Sequence, residues 1–232
     1  MKVVILAGGE GKRLLPSTIR LPKPMVPIGT RPILEIVIER LRRAGIRELI
    51  LATGYLHNVI QAHFGDGQRL GVQLEYSMEN APLGTAGPLD LLRHRLDSTF
   101  LVMNGDILTD LDFQRLVRHH HHRRNTATVV LVRKTEAVDF GVIRLDGDDR
   151  LTGWAEKPAA EYLVSAGIYL LEPSVLEHVP HRTPFTIPEL MLTLRDHGLA
   201  VRGFLHEGYW QDIGRPHDYE QACRDLANGA LA

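Results

Sequence analysis

The chain has 232 residues, 44% of them hydrophobic and 24% charged, the composition of a globular protein long enough to bury a substantial α/β core. Its formal net charge of −1 gives no general attraction to nucleic acid or to an anionic membrane, so any phosphate site must be a local cluster of cations. One cysteine, Cys223, excludes an internal disulfide and fits a reducing cytoplasm, which is the expected location. Lys2-Val3-Val4-Ile5-Leu6 is an apolar run rich in β-branched residues, and it reads as a strand buried on both faces. Ala7, Gly8, Gly9 and Gly11 follow. Glycines here let the backbone turn sharply and bring N–H groups close to a ligand's phosphate oxygens. Lys12 and Arg13 add positive charge. Neither standard phosphate motif is present. Leu14 breaks the dinucleotide fingerprint, and Gly11-Lys12 is followed by Arg13 instead of Ser or Thr. In Pro22-Lys23-Pro24 the prolines present Lys23 on a stiff, non-helical segment. Arg13 and Lys23 could then converge on one polyphosphate.

Ile33 to Ala44 carries apolar residues at helical spacing and is stopped by Gly45. A strand over 48–53, a helix over 58–64 and an alternating strand over 72–76 continue a strand–helix rhythm. That is the pattern of a doubly wound sheet. The turn-rich stretch from Glu79 to Pro88 predicts a strand-to-helix turn, with a helix from Thr85 to about Arg95. Phe100 to Asp106 reads as a buried strand ending in an aspartate, a place where ligands of open α/β sheets sit. Asp106 suits Mg²⁺ there, although a strand-end Asp can equally cap a turn.

Leu111 to Val117 reads as a helix ending in a solvated run, His119 to His122, whose flanking arginines disfavour metal capture. Strands are expected over 126–132 and 165–171, with a hairpin turning at 146–149 between 140–145 and 151–154. Helices over 187–194 and 217–227 and a strand over 199–205 close the pattern. Tyr209 and Trp210 read as core aromatics. No apolar run approaches the ~20 residues that span a bilayer, and the N-terminus has no leader-like pattern.

Leu6-Ala7-Gly8-Gly9-Glu10-Gly11-Lys12-Arg13-Leu14, with Pro22-Lys23-Pro24-Met25, resembles the sugar-1-phosphate nucleotidyltransferases, whose opening is L-A-G-G-x-G-T-R-L and then P-K-P-M or P-K-P-L. Lys12 stands where threonine is commoner. The resemblance runs from Val3 to Tyr219 with its blocks in family order. It implies a single α/β domain with a Rossmann-like, doubly wound mixed sheet of the nucleotide-diphospho-sugar transferase type. Residues 1–110 or so would bind nucleotide and residues 111–232 the sugar phosphate. Many relatives carry a C-terminal β-helix or other appendage, whereas this sequence stops just after the last helix of the resemblance, so the minimal form is expected.

The same resemblance implies the site. Leu6, Ala7, Gly8, Gly9, Gly11 and Lys12 would lie at the triphosphate, and Glu79, Pro82, Gly84 and Thr85 at base and ribose. An ionised Glu79 accepts only, which suits the adjacent donors of guanine. Asn104, Gly141, Glu156, Lys157 and Ser165 would line the sugar-phosphate pocket, Ser165 standing where Asn is usual. Asp106 and Asp212 would hold Mg²⁺. Arg13 would bind the departing pyrophosphate, and Lys23 the α-phosphate. The implied reaction joins a nucleoside triphosphate and a sugar 1-phosphate into a nucleotide sugar and pyrophosphate. GTP with mannose or manno-heptose 1-phosphate is preferred over UTP or dTTP with a glucose-like or N-acetylated sugar phosphate. A glycosyltransferase of related fold, a silent nucleotide-sugar sensor and a molybdenum-cofactor guanylyltransferase are the competing readings. Neither nucleic acid nor membrane is an expected partner, and homo-oligomerisation is left open.

Overall fold

The computed structural model describes residues 1–9, 11 and 21–231. Lys12 and Arg13 lie outside the described residues. The chain opens with β1 (Lys2–Ala7), a short hairpin of β2 (Pro27–Ile28) and β3 (Arg31–Pro32), α1 (Ile33–Arg43), β4 (Glu48–Thr53), α2 (His57–Phe64) and β5 (Gln73–Met78). It continues through β6 (Phe100–Asn104), β7 (Ile107–Thr109), α3 (Phe113–His122), β8 (Ala127–Ala137), β9 (Val142–Leu145), β10 (Leu151–Ala155) and β11 (Ala159–Leu171). Then come α4 (Ile187–Asp196), β12 (Val201–Leu205), β13 (Trp210–Asp212) and α5 (Pro216–Ala227).

Seven strands form one sheet in the order β12-β8-β11-β6-β1-β4-β5. β1 runs parallel to β4 and β6, β4 to β5, and β12 to β8. β11 is antiparallel to both neighbours, so the sheet is mixed, as the family pattern implies. Side chains alternate across a strand. Val3 and Ile5 join the core under α1, where Leu34, Ile38 and Leu41 are fully buried, and Val4 joins the opposite core with Leu89, Leu92 and Leu194. Burial on both faces is why β1 is apolar from Val3 to Ala7.

Local signals explain most boundaries. α1 stops at Gly45, whose φ of +84° suits glycine and whose N–H donates to Arg42 O. α4 begins with a Thr186–Glu189 capping box and a first-turn proline. Three expectations need correction. The helix from Thr85 is only a 3-10 turn over Gly87–Leu92. The N–H groups of Ala86 and Gly87 both donate to Phe185 O, so the first turn is built on a neighbouring segment instead of on itself. α3 extends to His122, and His120 is fully buried beside Phe113 and Leu116, because helical spacing places 113, 116 and 120 on one face. The histidine run is therefore not wholly a solvated end.

Finally, β8 and β11 extend far beyond their apolar cores and pair from Val132–Val164 out to Ala137–Ala159. The outer half, Arg133 to Ala137, is exposed and polar and lacks an inward face to reveal it in the sequence. No helix among the described residues is long and apolar enough to cross a membrane.

Candidate active site

The carboxyl ends of β1, β4 and β6 open into a cleft of about 670 Å³. Its walls include Leu6, Ala7, Gly8, Gly9, Gly11, Glu79, Pro82, Gly84, Thr85 and Asn104, with Lys23 and Asp106 at one end. Every predicted nucleotide-side residue except Lys12 and Arg13, which lie outside the described residues, is thus brought to one cavity. The glycines have distinct reasons. A Cβ on Gly8 would sit 2.5 Å from Glu79 Oε1, and one on Gly54 3.0 Å from the same atom. The Glu79 carboxylate occupies the space these two residues leave. Its Oε2 accepts from Leu83 N–H at 3.0 Å. Burial pushes the Glu79 pKa up, and the Leu83 hydrogen bond opposes that shift. Gly84 has φ +80°, and a Cβ there would meet Phe185 O at 2.6 Å. Thr85 Oγ1 accepts from Ile187 N–H at 2.8 Å, so the hydroxyl also satisfies the first turn of α4.

Asp106 sits in the turn between β6 and β7, and Gly105 N–H donates to Leu6 O at 2.9 Å, tying that turn to the end of β1. Lys23 stands on a tight turn closed by Met25 N–H to Pro22 O at 2.7 Å and Val26 N–H to Lys23 O at 3.1 Å. Its ammonium is ion-paired with Asp106 Oδ2 and lies 3.9 Å from Asp212 Oδ1. The two carboxylates meet because β7 and β13 pair antiparallel, with Asp212 opposite Ile107. Ile213 N–H then donates to Asp106 O at 3.2 Å.

Of the residues expected at the sugar phosphate, Asn104 is on this wall and the other four are not. Gly141, Glu156 and Lys157 lie in the connections flanking β9 and β10 and do not line the cleft. Gly141 packs against the Trp154 ring, whose Nε1 donates to Glu156 Oε2 at 3.2 Å. Lys157 has φ +43°. Ser165 Oγ bonds Tyr169 OH at 2.8 Å and accepts from Gly167 N–H at 3.3 Å, and it too is off the cleft wall. Trp210 and Tyr209 pack against the core, Trp210 Nε1 donating to Ala166 O at 2.9 Å. Sequence reasoning missed Ala52 and Pro88 on the wall and Gly54 behind Glu79. Gly54 had a signal, since it breaks a strand whose carboxyl end faces the site; Ala52 and Pro88 had none.

This architecture is that of an open α/β sheet with a cleft at the carboxyl ends of its strands, and the relatives narrow it further. The nucleotidyl transferase family pattern matches residues 2–229, and the chain belongs to that family. Mannose-1-phosphate guanylyltransferase of Mycobacterium tuberculosis is 35% identical over 97% of the chain. UTP–glucose-1-phosphate uridylyltransferase of Synechocystis is likewise 35% identical over 97%. The chain spans about 64% and 63% of the length of these two relatives. Among solved structures, HddC from Yersinia pseudotuberculosis superposes with a TM-score of 0.77 at 29% identity, covering 97% of this chain and 99% of that one. The same protein is also known complexed with GMP-PN.

Proposed function

We propose that the chain transfers a nucleotidyl group from a nucleoside triphosphate to a sugar 1-phosphate. The observation that carries this reading is the Lys23 ammonium set between Asp106 and Asp212 at the end of a glycine-lined cleft. An anionic phosphate must approach the α-phosphorus of another anion, so positioning and positive charge dominate catalysis. An oxygen of the sugar phosphate forms a bond to the α-phosphorus. The bond from that phosphorus to the oxygen bridging the β-phosphate breaks, and pyrophosphate leaves with the electron pair. No general base is required, because the attacking phosphate is already ionised near neutral pH.

The residues present fit Mg²⁺. Two carboxylates face one point that a cation already holds. Among the described residues there is no cluster of three or more His, Cys, Asp or Glu suited to a metal. Two carboxylates with remaining positions open to phosphate oxygens and water is the arrangement magnesium prefers. When bound by Asp106 and Asp212, it would offset charge on the phosphate oxygens and orient them. In this reading Lys23 neutralises charge growing on the α-phosphate, and Arg13 and Lys12 hold the β- and γ-phosphates. Lys157, Glu156, Gly141 and Ser165 serve the sugar phosphate from the half beginning near residue 111, and Asn104 does so from the cleft wall.

GTP with mannose or manno-heptose 1-phosphate is the preferred pair. The Mycobacterium relative's name and the GMP-PN complex of HddC support it. So does Glu79, which lines the cleft and, when ionised, is acceptor-only and suits the adjacent donors of guanine. The Synechocystis relative, at equal identity, supports UTP with glucose 1-phosphate as the second reading. The test crosses nucleoside triphosphates against sugar 1-phosphates with Mg²⁺ and measures pyrophosphate. Release that requires both substrates is expected. Folded, nucleotide-binding protein that releases none with any pair would instead be a sensor.

A further inference from the structure

We infer that His206 is a positioning residue that sets the direction of the Asp212 carboxylate. The inference rests on the reading of Asp212 as a metal ligand. β7 and β13 form a ribbon of three residues per strand, separate from the seven-stranded sheet. A two-stranded ribbon is marginal on its own, so its register needs an outside support. The register matters because side chains alternate: a slip of one residue would turn Asp212 to the opposite face, away from Asp106 and Lys23.

The rungs are Trp210 with Thr109, Gln211 with Leu108 and Asp212 with Ile107. His206 braces the rung farthest from the site. Its Nε2 lies 3.2 Å from Thr109 Oγ1, 3.1 Å from Tyr209 O and 3.1 Å from Asp110 Oδ1. Thr109 Oγ1 gives its own proton to Tyr209 O at 2.9 Å. Nε2 therefore faces acceptors on every side and carries a proton, which fixes the ring's orientation. Two of these partners belong to β7 or the residue after it, and the third immediately precedes β13. One ring thus spans both strands at their first rung. The backbone N–H of His206 donates to Leu131 O at 2.8 Å, which anchors the brace to β8 of the main sheet. The side chain is 9% exposed. Asp110 N–H to Tyr209 O at 3.2 Å closes the same end of the ribbon. None of the groups that His206 bonds lines the cleft, so its effect must pass through the ribbon.

The test pairs two variants with opposite properties. His206→Phe keeps the ring's volume and removes the donor; His206→Gln keeps an N–H near the Nε2 position and loses the ring. Mn²⁺ binding to the full chain is followed by electron paramagnetic resonance. Affinity for a fluorescent GTP analogue is measured in EDTA. His206→Phe is expected to weaken Mn²⁺ binding about tenfold, while His206→Gln stays within about threefold of the unmodified chain. Affinity for the analogue in EDTA should change less than about twofold in both. Unaltered Mn²⁺ binding in His206→Phe overturns the inference, as does a loss shared equally by Mn²⁺ and nucleotide. If His206→Phe does not fold, Thr109→Val removes one partner of the same ring and carries the comparison, with weaker Mn²⁺ binding expected and unaltered binding overturning the inference. Asp212→Asn separates the two levels. If it too leaves Mn²⁺ binding unchanged, the metal reading itself fails. If Asp212→Asn weakens Mn²⁺ binding and the His206 variant does not, only the positioning role falls.

Discussion

Lys23 and Asp106, 83 residues apart in the chain, are ion-paired at one end of the cleft, with Asp212 3.9 Å from the same ammonium. The lysine side chain is 12% exposed, so this is a largely desolvated charge held by two opposite ones. Removing it leaves the carboxylates facing each other. Lys23→Met should therefore act in two directions. Pyrophosphate release should fall by about 10²–10³-fold, the scale of losing one preorganised charge at a reacting phosphate. Mn²⁺ binding to the nucleotide-free chain should tighten, since a competing cation has gone. Titration of free Mn²⁺ against each protein checks the second effect, and a weaker affinity in the variant would count against a shared cation site.

Gly84 combines a left-handed backbone with a contact that cannot yield. Phe185 O, 2.6 Å from the position a methyl would take there, already accepts from Ala86 and Gly87. Gly84→Ala should cost about 1–3 kcal/mol. For a chain of this size that lowers Tm by roughly 2–4 °C for each kcal/mol. Thermal unfolding of the two proteins decides it, and an unchanged Tm would mean that the loop is free to shift.

Glu79 links stability to pH. Burial raises its folded pKa above the ordinary 4.5, with the Leu83 hydrogen bond opposing. The folded state then holds the proton more readily than the unfolded chain. The stability this adds is fully present below 4.5 and is lost as pH rises through the folded pKa. Glu79→Gln keeps an acceptor for Leu83 and removes the buried charge. Its Tm should exceed that of the unmodified chain near pH 8, and the difference should shrink as pH falls toward 4.5. Affinity for GTP should drop in the same variant, a trade of binding for stability.

His120 shows the opposite dependence. Its ring is fully buried, with Nδ1 2.8 Å from Thr128 Oγ1 and Nε2 2.9 Å from Glu172 Oε1. Burial lowers its pKa below 6.5, and Glu172 pulls the other way. Stability linked to the neutral ring is complete above 6.5 and is lost as pH falls through the folded pKa. Denaturant unfolding between pH 7.5 and about 5 should show this acid loss, and His120→Gln should flatten it. An equal slope in both proteins would assign the acid sensitivity to other groups.

Legibility in the sequence follows burial and spacing. β1 and α1 are readable because each buries a continuous or periodic apolar face, and Gly45 marks a stop that the backbone needs. Asp106 is readable as a strand end. Its partnership with Asp212 is not derivable from either residue alone, because a two-stranded ribbon of three residues per strand has no hydrophobic pattern of its own; only the family resemblance joins them. The outer halves of β8 and β11 escape for a related reason. Arg133–Glu161 and backbone pairing hold them at the surface, where alternation carries no information. His120 misleads because its neighbours in sequence are polar, while its neighbours in space are Phe113, Leu116 and Thr128.

The β7–β13 ribbon also orders events in time. The glycine wall, Lys23 and Asp106 all belong to the first half of the chain, whereas Asp212 closes a loop back to Ile107 over more than a hundred residues. Contacts of such long sequence separation form slowly, because their closure entropy must be met first. During vectorial synthesis the cluster of Lys23, Asp106 and Asp212 stays incomplete until β13 has emerged and docked. A nascent chain therefore cannot set Asp212 beside Lys23, whatever the state of its glycine-lined cleft. Under the proposed function, competence is acquired in a single late step, after most of the sheet is already in place.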